Sequence, residues 1–199
     1  MRGHIYRAAL LMALAAGVGG STSCTSAVRQ GTGSSYLIIA ALTASSGGGD
    51  SAGNNLQSDV LTEGGVIEDE GVVEFTLGLK DAGSSSPASP TSNNFITVNR
   101  YRVVYTRTDG RNTAGVDVPY AFDGAFTVTV GSGSTEANFS IVRIQAKLEA
   151  PLRALAGGGG ANVISTIATV TFYGQDQTGH AVSVTGRISV DFADWADEE

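Results

Sequence analysis

The chain has 199 residues, a formal net charge of −7, 27 glycines and one cysteine. The acidic balance argues against nucleic acid as a partner, since phosphates need a basic face, and a lone cysteine excludes an internal disulfide. Scarce Lys, Glu and Leu beside abundant Gly, Ser and Thr make poor helix-forming material.

The first predicted element is a secretory signal. Arg2, His4 and Arg7 form a short basic region, Ala8–Val18 is uncharged, and Gly19–Ser23 are all small. The apolar run is shorter than the about 20 residues a spanning helix needs, and no later run is longer. Cys24 follows directly, where a free thiol in an oxidising compartment would be a liability. This stretch resembles a bacterial lipoprotein signal, in which a cysteine follows a small tripeptide; Ser21 stands where that pattern usually has leucine. The resemblance implies cleavage after Ser23 and a lipid on Cys24, so that contact with the membrane runs through the anchor only. Thr25, in place of aspartate, implies sorting to the outer membrane or cell surface. The alternative is ordinary cleavage near Ser23, which would leave a periplasmic or secreted protein. Removing residues 1–23 takes two of the 12 basic residues and none of the 19 acidic ones, so the net charge moves from −7 to −9. The expected layout is a signal at 1–23, a flexible tether at 24–35, one β-domain at 36–193 and an acidic, frayed tail at 194–199.

The domain reads as strands separated by glycine-rich breaks. Tyr36–Ala44 is a continuous apolar run, and Leu56–Leu61 is a weaker strand. In Val72–Lys80, Val73, Phe75, Leu77 and Leu79 share one face. Phe95–Arg107 is long and changes phase near Asn99, from Ile96 and Val98 to Tyr101, Val103 and Tyr105, as a bulge would make it do. Ala125–Val130 alternates, and so does Ser140–Glu149, with Val142, Ile144, Ala146 and Leu148 inward and Lys147 outward. Ala150–Asn162 is a loop with a short helical turn near Leu152–Leu155. Ile164–Gly174 puts Ala168, Val170 and Phe172 inward. Val182–Phe192 closes the set, with Gly186 on its inward side as a bulge or a close approach. The polar connection Gln175–His180 makes the last two strands a hairpin. Seven or eight strands, mostly antiparallel and apolar on one face, predict an all-β sandwich.

The closing segment Val170–Phe192 (VTFYGQDQTGHAVSVTGRISVDF) resembles the last hairpin of bacterial immunoglobulin-like domains, where an aromatic-Gly-x-Asp turn precedes a strand of alternating valines. The resemblance implies an immunoglobulin-like β-sandwich and names no activity.

Few residues could carry chemistry. His180 is the only histidine after processing, so paired-histidine and CxxC zinc sites are excluded and any serine triad would need a residue in a predicted turn. Glu68, Asp69 and Glu70, with Asp59 and Glu63 nearby, could offer oxygens to calcium between loops; a solvated acidic turn explains them more simply. Arg100 and Arg102 share a face in the densest basic patch of an acidic chain and could take an acidic glycan or a partner's carboxylate, unless neighbouring acids already neutralise them. Tyr101, Tyr105, Tyr120 and Phe122 read as core and sheet-edge residues. The expectation is a non-catalytic envelope lipoprotein, without cofactor, presenting an immunoglobulin-like binding or structural module to a surface protein or glycan. Two alternatives remain. A self-assembling surface or filament subunit would show unpaired edge strands. A carbohydrate-active enzyme would need a cleft lined by paired acids.

Overall fold

The computed structural model describes residues 33–47, 52–80 and 90–195. The signal segment, Cys24 and most of the tether lie outside these residues, as do the last four residues of the tail. No helix among the described residues is long and apolar enough to cross a membrane.

Among the described residues, nine strands form two sheets: β1 (Ser35–Ser45), β2 (Asn55–Asp59), β3 (Asp69–Leu79), β4 (Ile96–Thr106), β5 (Phe122–Gly124), β6 (Val128–Val130), β7 (Thr135–Val142), β8 (Ile164–Asp176) and β9 (Ala181–Ala193). The smaller sheet has the order β1-β3-β7; the larger runs β2-β9-β8-β4-β5, with β6 also paired to β4. Every pair is antiparallel except β2 with β9. The two apolar faces meet. Phe75 of β3 packs edge-on against Phe172 of β8 at 5.0 Å between ring centroids, and Phe139 of β7 touches both Phe172 and Tyr101 of β4. Burying each such ring stabilises the fold by about 1.5–3 kcal/mol, and an edge-on aromatic pair adds roughly 0.5–1.5 kcal/mol.

Alternation places most of this core. Val73 and Phe75 are buried, as are Ala168, Val170 and Phe172, and Ile188, Val190 and Phe192. The phase change in β4 is real: its register against β8 slips between Val98 and Arg100, so Val98 and Tyr101 both point inward while Asn99 and Arg100 both stay outside. The hairpin between β8 and β9 forms as expected, with Gly179 at φ +88° in its turn, a conformation that suits glycine.

The expected strand at Ser140–Glu149 is corrected. β7 ends at Val142, and α1, a short helix, spans Ile144–Leu148. The reason is the partner strand. Val142 pairs with Asp69, the first residue of β3, so nothing remains for a continued β7 to pair with. The chain turns instead, with Ala146 N–H donating to the Arg143 carbonyl at 3.0 Å and Gln145 Nε2 donating to Glu149 Oε1 at 2.9 Å. The apolar side reverses with it: Ile144 and Leu148 are exposed, and Lys147 is buried. The helical turn at Leu152–Leu155 is present, with both leucines buried.

Both ends of the domain are tied more firmly than expected. Ser35 already belongs to β1. Asp194 Oδ2 accepts from the Gly157 N–H at 2.7 Å, and the Trp195 N–H donates to Asp59 Oδ1 at 3.2 Å, so the chain is held to the domain through Trp195.

Candidate functional site

The bulge at Asn99 decides what the larger sheet shows to solvent. It turns Arg100 and Arg102 onto the outer face, where Arg100 lies across from Tyr173 and Arg102 across from Thr171 on β8. The Arg100 guanidinium stacks 4.2 Å from the Tyr173 ring centroid. Arg102 also faces Asp123 of β5 and donates from Nη1 to Asp123 Oδ2 at 2.6 Å, while Arg100 Nη1 reaches Asp123 Oδ1 at 3.4 Å. Among the described residues one carboxylate thus serves two guanidiniums, which leaves one positive charge over on an exposed sheet face. Hydroxyl pairs extend this surface on both sides: Thr171 and Thr185 at 3.0 Å, and Thr97 and Thr129 at 3.1 Å. Rigid strands hold these groups, and the stack fixes the plane of one guanidinium. Such a surface can dock carboxylates by charge and sugar rings by hydroxyl contacts.

The acidic cluster does not converge. Asp69 is fully buried on the inner side, and its neighbours Glu68 and Glu70 are exposed. The two glutamates border an open depression with Asn138, Phe139 and Ser140. Among the described residues no three His, Cys, Asp or Glu side chains are placed to hold a metal ion. Asp69, expected in a solvated turn, instead forms a buried ion pair. Lys147 Nζ is 2.7 Å from Asp69 Oδ1, and neither side chain is exposed to solvent. Ser58 donates to Asp69 Oδ2 at 2.6 Å and the Gly47 N–H donates to Oδ1 at 2.8 Å. Burial pushes the Asp69 carboxyl above its usual range, and the Lys147 charge with these hydrogen bonds draws it only part of the way back. Close by, the buried Tyr105 hydroxyl donates to the Ile141 carbonyl, and burial drives its ionisation far upward.

His180 stands in the hairpin turn as expected. Its Nδ1 lies 2.7 Å from Thr178 Oγ1 and 3.1 Å from Asp176 Oδ2. A serine-type relay needs the hydroxyl and the carboxylate on opposite ring nitrogens; here both meet the same one. Asp176 also accepts from Thr178 and from the His180 N–H. Burial acts to raise the Asp176 carboxyl, and these donors together outweigh it and hold it below the usual range. At the end of the domain carrying α1, Tyr120, Arg143 and Glu149 line a second depression, where the Arg143 guanidinium lies 4.1 Å above the Phe122 ring. Tyr101, Tyr105 and Phe122 are core residues, and Tyr120 is exposed.

Sequence reasoning placed Arg100 and Arg102 on one face but missed Tyr173 and Asp123 beside them. It also missed Lys147 as the partner of Asp69. The available signal was that a lysine alternating with apolar residues next to a helix-compatible segment need not face solvent.

Comparison of the chain with family models, with curated proteins and with solved structures returns no match.

Proposed function

We propose that the chain is a non-catalytic cell-envelope lipoprotein: a lipid on Cys24 anchors an immunoglobulin-like sandwich whose larger sheet docks an acidic partner, either a carboxylated surface glycan or an acidic segment of another envelope protein. The observation that carries the docking role is the outer face of β4, where Arg100 stacked on Tyr173 and Arg102 on Asp123 leave one uncompensated positive charge in an otherwise acidic chain. The immunoglobulin-like reading is supported by strand order. The first, third and seventh strands form one sheet, and the ninth, eighth, fourth and fifth lie side by side in the other. This corresponds to the A-B-E and G-F-C-C′ arrangement of such sandwiches. The anchor is supported by the signal-like segment and by the single cysteine at its end.

Two measurements test the two halves. Membrane fractionation in a bacterial host, followed by mass analysis of the mature N-terminus, is expected to give a membrane-bound species beginning at a diacylglycerol-modified Cys24; an unmodified soluble species removes the anchor. Co-sedimentation with polygalacturonate is expected to retain the wild type and to lose roughly tenfold in affinity in Arg100→Ala/Arg102→Ala, as removal of about one charge-assisted contact requires. Equal binding by both proteins, or by neither, overturns the docking surface.

A further inference from the structure

The buried pair of Lys147 and Asp69 holds an amine against a carboxyl group in a site closed to solvent. Two charges removed from water cost more than their attraction returns unless the geometry is excellent, and this fold spends α1, β2, β3 and the loop at Gly47 on enclosing them. A proton passing from the ammonium to the carboxylate relieves the cost. The neutral pair it leaves is a free amine against a carboxylic acid, which are the two reactants of amide formation.

We propose that Lys147 and Asp69 form an intramolecular isopeptide bond. Lys147 Nζ is hydrogen-bonded at 2.7 Å to Oδ1, the oxygen carried by Cγ, the carbon it would attack. Both side chains are held by packed secondary structure, so the step is unimolecular, and oriented neighbours of this kind reach effective concentrations of about 10⁵–10⁸ M. The two carboxyl oxygens have different neighbours. Oδ1 faces the fixed N–H of Gly47, which stabilises the negative charge that builds there as nitrogen adds to Cγ. Oδ2 faces the Ser58 hydroxyl, which can hand a proton from the attacking nitrogen to the departing oxygen. The ammonium and the carboxylate together hold three protons on nitrogen and none on oxygen. One proton stays on the amide nitrogen and two leave with Oδ2 as water, while the new C–N bond replaces the broken C–O bond. No oxidant, metal or cofactor is consumed, and exclusion of solvent from the core opposes hydrolysis. The bond would join residues 78 positions apart, from the start of β3 to α1, in a chain whose single cysteine cannot form an internal disulfide.

Tryptic mapping of the full purified chain tests this directly. Cleavage after Arg29, Lys80, Arg143 and Arg153 is expected to release one branched product, residues 30–80 joined to residues 144–153, lighter than the two linear peptides by one water, with no cut after Lys147. Lys147→Arg is expected to abolish both the branch and the loss of water. Recovery of the linear peptide ending at Lys147 from the wild type overturns the proposal. So does a loss of water that persists in Lys147→Arg, which would place the dehydration elsewhere. The wild-type result does not depend on whether any variant folds.

Discussion

Gly186 of β9 lies directly beneath Leu42 of β1: a Cβ added at Gly186 would stand 2.9 Å from Leu42 Cδ2 and 3.0 Å from Ile39 Cδ1. Its register with Val170 is unbroken, so this glycine marks a close approach between the sheets and no bulge. The alternation of β9 calls for an apolar side chain here, and the opposite sheet has already filled the space.

Gly186→Val completes the valine pattern and is expected to destabilise the protein by about 1–3 kcal/mol through overpacking. Urea unfolding checks this: the midpoint should fall with little change in slope. An unchanged or raised midpoint would mean that the sheets part at no cost.

Lys147→Met removes both the cation and the nitrogen of the proposed bond, leaves Asp69 buried as a free carboxyl group, and is expected to cost at least about 3–5 kcal/mol near neutral pH. The loss should depend on pH in a definite direction. Burial raises the folded-state pKa of Asp69 above the unfolded value, and the variant lacks the lysine that opposed this. The contribution of such a group is fully present below the unfolded pKa and is lost as pH rises through the folded one. Unfolding curves should therefore show the smallest deficit in acid and a growing one toward neutrality. Adding Asp69→Leu should recover the share of the loss that grows with pH, and not the share due to the missing cross-link.

Asp176→Ala removes an acceptor used by Thr178 and His180 and is expected to destabilise the β8–β9 hairpin by about 1–3 kcal/mol. Here the sign is opposite. The folded-state pKa is depressed, so the stabilisation is present above the unfolded carboxylate value and lost as pH falls through the folded one. Wild type and variant should converge in stability in strong acid. A gap that stays constant down the whole range would show that the side chain acts by packing alone.

Asp123→Ala frees Arg100 and Arg102 from their shared carboxylate. Both ion pairs are solvent-exposed, so stability should change by less than about 1 kcal/mol. Affinity for polygalacturonate should rise. A fall would mean that Asp123 positions the arginines instead of competing with the ligand.

The long strands were legible because burial on one side writes a two-residue period into them. β8 and β9 are the plainest cases, and the break of phase at Asn99 located the bulge that brings out Arg100. The three-residue β5 carries no period and escaped notice. α1 was misread because alternating apolar residues over so few positions also fit a single helical turn, and only the end of β3 decides between them. The partners of the site residues were illegible for a different reason. Asp123 is 21 positions from Arg102 and Lys147 is 78 from Asp69, and nothing local marks either meeting.

The parallel pairing of β2 with β9 orders events in time. Asn55 to Asp59 align with Ser189 to Ala193, so a chain emerging N-terminus first exposes β2 long before the strand it requires has been made. The β2 side of the larger sheet is assembled last, by residues 181–193. A product cut short before Ala181 leaves both β2 and β8 with open backbone edges that invite aggregation or proteolysis. Insertion of β9 between β2 and β8 completes both pairings in one step.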